Sequence, residues 1–129
     1  MSPNGPRILV VDDDAAMKEA LADMVQSEGW EFDVADTVDE ALAAVEDLGP
    51  EAIVLEPRAD GGRAISLLIL LRQRSAWTPV ILFTDDPAYD DQYALEHGAS
   101  EIVRKAGGLA PLRDVIAAVL ADEETDRPL

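Results

Sequence analysis

Apolar residues in this chain come in blocks. Ile8-Leu9-Val10-Val11 is an unbroken apolar run and predicts a strand over about 7–12, buried on both faces of a sheet. Glu51 to Glu56 and Val80 to Phe83 repeat that pattern. Between the runs lie stripes at helical spacing. Met17, Leu21, Met24 and Val25 form one, capped by Asp13 or Asp14 and stopped at Gly29. Trp30 to Ala35 alternates loosely, with Phe32 and Val34 on one face, and predicts a half-buried strand. Thr37-Val38-Asp39-Glu40 is a capping box opening a helix with the stripe Val38, Ala41, Leu42 and Val45, ended by Gly49-Pro50. A third helix is expected over about 63–74. Asp85-Asp86-Pro87 predicts the start of a fourth, closed by Gly98. Glu101 to Lys105 predicts a short strand, and Gly107-Gly108 a hinge. Leu112, Val115, Ile116, Val119 and Leu120 line a last helix.

The order is strand then helix, five times over. That alternation predicts an α/β domain, a doubly wound parallel sheet with helices on both faces. One domain is expected over residues 7–121, after a loose leader at 1–6 and before an acidic flexible tail at 122–129.

Charge narrows the partners. Ten Lys and Arg stand against 27 Asp and Glu, a formal charge of -17. Such a field repels nucleic acid and anionic membranes. Basic or apolar protein surfaces and cations remain. The longest apolar run, Leu67 to Leu71, is too short to span a bilayer. Cysteine is absent, which excludes disulfides and thiolate chemistry and fits a reducing cytoplasm.

The predicted strand ends carry the chemistry. Asp12 and Asp13, Glu56, Thr84 and Lys105 fall at the carboxyl edge, where open parallel sheets bind ligands. Adjacent carboxylates repel by roughly 4 kcal/mol at about 4 Å and an effective dielectric of about 20. A hard divalent cation relieves that repulsion, while Thr and Lys can donate to phosphoryl oxygens. A plain helix cap explains the acids equally well, and strand-end Thr and solvent-facing Lys are common.

Ile8-Leu9-Val10-Val11-Asp12-Asp13, Thr84 after Val80 to Phe83, and Gly98-Ala99-Ser100 before Lys105 together resemble the receiver domain of two-component response regulators. The resemblance covers about residues 7–121. It implies a flavodoxin-like (βα)5 fold with strand order 2-1-3-4-5. It implies a phosphoacceptor at position 56 and Mg²⁺ held by Asp12, Asp13, residue 56 and the Arg58 backbone carbonyl. Thr84 and Lys105 would line the phosphoryl pocket. A histidine kinase and a downstream effector would be partners, in a signalling role rather than an enzymatic one.

The departures matter as much. Glu56 replaces the family's Asp, which moves the carboxylate outward by about 1.5 Å. Misplacement of about 1 Å can cost 10²-fold in an in-line transfer. Glu56 is therefore expected to be a poor acceptor, with Mg²⁺ bound weakly or not at all. Asp60 is an alternative acceptor, but it is predicted on a loop. Ile102 stands at the family's switch aromatic, and Ala106 follows Lys105 where the family has a cis Pro. A cis non-Pro bond costs about 2.5–4 kcal/mol, so a trans bond is expected.

The expectation is an atypical receiver working through phosphorylation-independent protein–protein contacts. The alternatives are phosphotransfer on Glu56 or Asp60, and an Mg²⁺-dependent phosphatase suggested only by Asp12-Asp13-Asp14. Leu70, exposed among Arg63, Ser66, Gln73 and Arg74 with Ile69 on the rim, is a candidate contact surface, including for a homodimer. Tyr89 and Tyr93 are expected to pack, and His97 to favour its helix C-terminus.

Overall fold

The computed structural model describes residues 5–74 and 76–126, and of residues 123–126 the backbone alone. The leader's first four residues and residues 127–129 of the tail lie outside the described residues. Five strands form one parallel sheet: β1 (Arg7–Val11), β2 (Glu31–Ala35), β3 (Ala52–Leu55), β4 (Val80–Phe83) and β5 (Glu101–Val103). Their order is β2-β1-β3-β4-β5, the flavodoxin-like order expected.

Side chains alternate across each strand, so every apolar run feeds two cores. Leu9, Val11, Ile53, Leu55, Val80 and Leu82 enter one core. Helices α2 (Val38–Leu48) and α3 (Ser66–Gln73) cover it, with Tyr89 and Tyr93 packed against it. Ile8, Val10, Val54, Ile81 and Phe83 enter the other, covered by α1 (Ala15–Ser27) and α5 (Leu109–Asp126). Ile8 to Val11 are fully buried because β1 has neighbours on both edges and helices on both faces.

Local signals set most boundaries. Asp14, not Asp13, caps α1, its carboxylate accepting the Met17 N–H at 2.8 Å. The Thr37–Glu40 capping box forms, and Gly49 ends α2 with a left-handed φ of 59°. The Pro6 carbonyl accepts the Glu31 N–H at 2.8 Å, so the end of the leader is tied to the sheet. Helix α5 continues through Asp126, into the stretch expected to be tail.

Other expectations are corrected. Phe32 packs into a core, but Val34 on the same face is 45% exposed, because β2 is an edge strand with one neighbour. The third helix starts three residues late. Asp60, Gly61 and Gly62 all have positive φ and form a 3-10 turn that a regular helix cannot include. The fourth helix, α4 (Asp91–His97), starts well after Asp85-Asp86-Pro87 and is capped by Asp90. Residues 85–90 form a loop in which the Asp86 carboxylate accepts the Ala88 N–H and the Arg104 side chain takes the Asp86 and Tyr89 carbonyls. β5 ends at Val103, and Lys105–Gly107 is a 3-10 turn rather than strand and hinge. On α3 the expected roles reverse: Ile69 is 43% exposed, while Leu70 is half-buried.

Candidate functional site

The strand ends do converge. Asp12 follows β1 and is 2% exposed. Lys105, past β5, reaches it at 2.9 Å and Glu56, past β3, at 2.8 Å. One ammonium thus bridges two carboxylates. Burial pushes the Lys105 pKa down. The hydrogen bonds to Glu56 and Asp12, with their charges, outweigh that and hold it above 10.5. The ring of Phe83 lies beneath, its centroid 5.8 Å from Nζ.

Four further oxygens of the site also accept hydrogen bonds. Asp12 Oδ1 accepts the Asp14 N–H at 3.0 Å. Glu56 Oε2 accepts the Arg58 N–H at 3.1 Å. Asp13 is exposed, and its Oδ2 accepts the Asp60 N–H at 3.0 Å. The Arg58 carbonyl, expected to face a metal, accepts the Gly62 N–H at 3.0 Å. Among the described residues no group of three His, Asp or Glu is placed to hold a metal ion. The donor set as arranged does not suit Mg²⁺.

Thr84 is fully buried, and its hydroxyl oxygen accepts the Asp86 N–H at 3.2 Å. As an acceptor it serves its own loop. Asp60 is committed too, its Oδ2 accepting the Val38 N–H at 3.1 Å at the start of α2. Ile102 packs against the core at the expected switch position. His97 stacks on Tyr93 at 4.0 Å, and its Nδ1 lies 2.9 Å from the Tyr93 carbonyl.

The described residues contain no cis peptide, so the Lys105–Ala106 bond is trans as expected. The Ala106 N–H donates to Asp85 Oδ1 at 2.9 Å, a bond that proline could not make. The sequence predicts Asp85 only at a helix start and Arg104 only within a strand, neither as a residue of this site. The Arg104 guanidinium donates to the carbonyls of Thr84 (3.3 Å), Asp86 (2.9 Å) and Tyr89 (2.6 Å). A pair of adjacent cations, Arg104 and Lys105, at the end of a strand in so acidic a chain is a visible signal. The partners of Arg104 are backbone atoms, which sequence does not reveal.

Arg104 holds the loop between β4 and α4 against β5. Arg104→Ala is expected to cost roughly 2 kcal/mol, because three half-buried carbonyls lose a charged donor and water restores only part. Hydrogen exchange should quicken at the Asp86 and Ala106 amides. Unchanged protection there would mean that the loop is held by other contacts.

Comparisons with known proteins agree with this fold. The model of the response regulator receiver domain matches residues 8–117. The DNA-binding response regulator MtrA of Mycobacterium tuberculosis is 34% identical over 99 residues, which is 77% of this chain and 43% of that protein. The transcriptional regulatory protein TcrA of the same organism is 34% identical over 110 residues, covering 84% of this chain and 44% of that one. The chain thus spans less than half the length of these curated relatives. Among solved structures, response regulator TrrA of Thermotoga maritima, in complex with Mg²⁺ and BeF, is 27% identical with a TM-score of 0.78, covering 88% of this chain and 98% of that one. A CheY-like receiver domain protein of Methanospirillum hungatei, 24% identical, has the same fold, with a TM-score of 0.84 over 95% and 99% of the two chains. With the β2-β1-β3-β4-β5 sheet and an acid–lysine cluster at its carboxyl edge, the chain belongs to the response regulator receiver domain family.

Proposed function

We propose that this receiver domain signals through protein–protein contacts without being phosphorylated, its pocket held in one state by Glu56. The family places the chain in two-component signalling. The observation that carries the finer reading is the bridge from Glu56 through Lys105 to Asp12, at 2.8 and 2.9 Å. The extra methylene of Glu lets its carboxylate reach the ammonium while its second oxygen takes the Arg58 N–H. An anionic group thus already fills the place beside Lys105. Asp60 is disfavoured as an acceptor because both its amide and its carboxylate are engaged. Asp14 is spent as a helix cap, which leaves the phosphatase reading without its second acid.

Partners in this reading are a histidine kinase, a downstream effector or a second copy of the chain. Ile69, 43% exposed on α3, is a better contact than half-buried Leu70. The formal charge of -17 disfavours nucleic acid as a partner of this chain itself. Incubation with a small acyl-phosphate donor and Mg²⁺ is the direct test. Intact mass should show no added phosphoryl group. A hydroxylamine-sensitive adduct on Glu56 or Asp60 would overturn the proposal.

A further inference from the structure

A divalent cation at this pocket would have to share oxygens that already accept hydrogen bonds from the chain. Both carboxylate oxygens of Asp12 and of Glu56, one of Asp13 and the Arg58 carbonyl each accept a hydrogen bond from the chain. Mg²⁺ demands near-octahedral oxygens at about 2.0–2.1 Å and sheds water reluctantly. Binding it between Asp12 and Glu56 would require the Lys105 ammonium to leave both carboxylates, because two cations cannot share that space. We propose that Lys105 is the resident cation of this pocket, joining Asp12 to Glu56 and keeping divalent metal ions out.

The physical logic is one of charge and reach. Asp12, 2% exposed, needs a counter-charge whatever else happens. Lys105 supplies it from inside the chain at 2.9 Å. Glu56 is long enough to share the same ammonium at 2.8 Å. An Asp at position 56 would fall about 1.5 Å short and leave Lys105 paired on one side only. The inference deepens the proposed function and rests on it in that one respect, the reach of Glu56.

Mn²⁺, a hard cation with a paramagnetic signal when free, is the probe. Titrations use the full chain with no phosphodonor, so they read metal alone, whereas the mass assay above reads phosphotransfer alone. Lys105→Ala removes the ammonium without filling its space. Glu56→Asp keeps every charge and shortens one arm. Arg74→Ala removes one positive charge at an exposed pair with Glu46 and controls for net charge. Mn²⁺ affinity should rise at least about tenfold in Lys105→Ala or in Glu56→Asp and stay within roughly twofold in Arg74→Ala. Circular dichroism establishes that each variant is folded. If Lys105→Ala does not fold, Glu56→Asp decides alone. Wild-type affinity within roughly twofold of every folded pocket variant overturns the inference, as does an equal gain in Arg74→Ala.

Discussion

Lys105→Met is expected to lower the unfolding free energy by about 3–5 kcal/mol, a large share of the stability of a domain of this size. The substitution keeps most of the side-chain volume and removes only the charge. Asp12, 2% exposed, and Glu56 are then left facing each other with no cation between them. Removing one partner of a buried pair costs far more than the pair contributes, because the stranded charge stays desolvated. The contrast is Arg74→Ala, which breaks an ion pair whose side chains are 52% and 69% exposed. Surface pairs of that kind contribute about 0–1 kcal/mol. Urea midpoints at pH 7 measure both. Equal losses in the two variants would mean that the Lys105 bridge is no stronger than a surface pair.

The same bridge sets a pH dependence. The Lys105 pKa is raised in the folded state above its ordinary 10.5. A raised pKa means that the folded state holds the proton more tightly. The stabilisation is therefore complete below 10.5 and is lost as pH climbs through the folded-state value. The gap between wild type and Lys105→Met should stay constant from neutral pH to about 10 and narrow above it.

Phe83→Ala should be as damaging, at about 3–5 kcal/mol. Phe83 is 1% exposed, among the largest fully buried side chains, and belongs to the core under α1 and α5. Truncation removes the buried ring and leaves a cavity in a layer bounded by rigid strands, which cannot collapse to fill it. It also removes the ring face 5.8 Å below the Lys105 ammonium. Phe83→Leu retains most of the volume and should cost less than about 1.5 kcal/mol if the core repacks. Denaturant unfolding of both variants checks the order. A loss below about 1 kcal/mol in Phe83→Ala would mean that the site collapses around the missing ring.

Much of this molecule was legible in its sequence because short-range rules act on it. Unbroken apolar runs such as Ile8 to Val11 mean strands covered on both faces, and five strand–helix units mean a parallel sheet. The Thr37–Glu40 box and Gly49 state where α2 begins and ends, since caps satisfy backbone groups within a turn. Asp12, Glu56 and Lys105 could be placed at one sheet edge by counting strands.

What sequence could not show depends on contacts between distant segments. The helix start expected at Asp85-Asp86-Pro87 did not form. The Asp86 carboxylate does take a nearby N–H, that of Ala88, but Arg104, 18 residues beyond, holds the Asp86 and Tyr89 carbonyls in a loop. Likewise Asp60 reads as a loose loop acid until its bonds to Asp13 and Val38 are seen. Sequence determined which residues meet at the carboxyl edge. Only the tertiary structure decided how they pair. Lys105 lies 93 residues from Asp12, and whether it faces solvent, a phosphoryl group or two carboxylates is a matter of ångströms that no local pattern encodes.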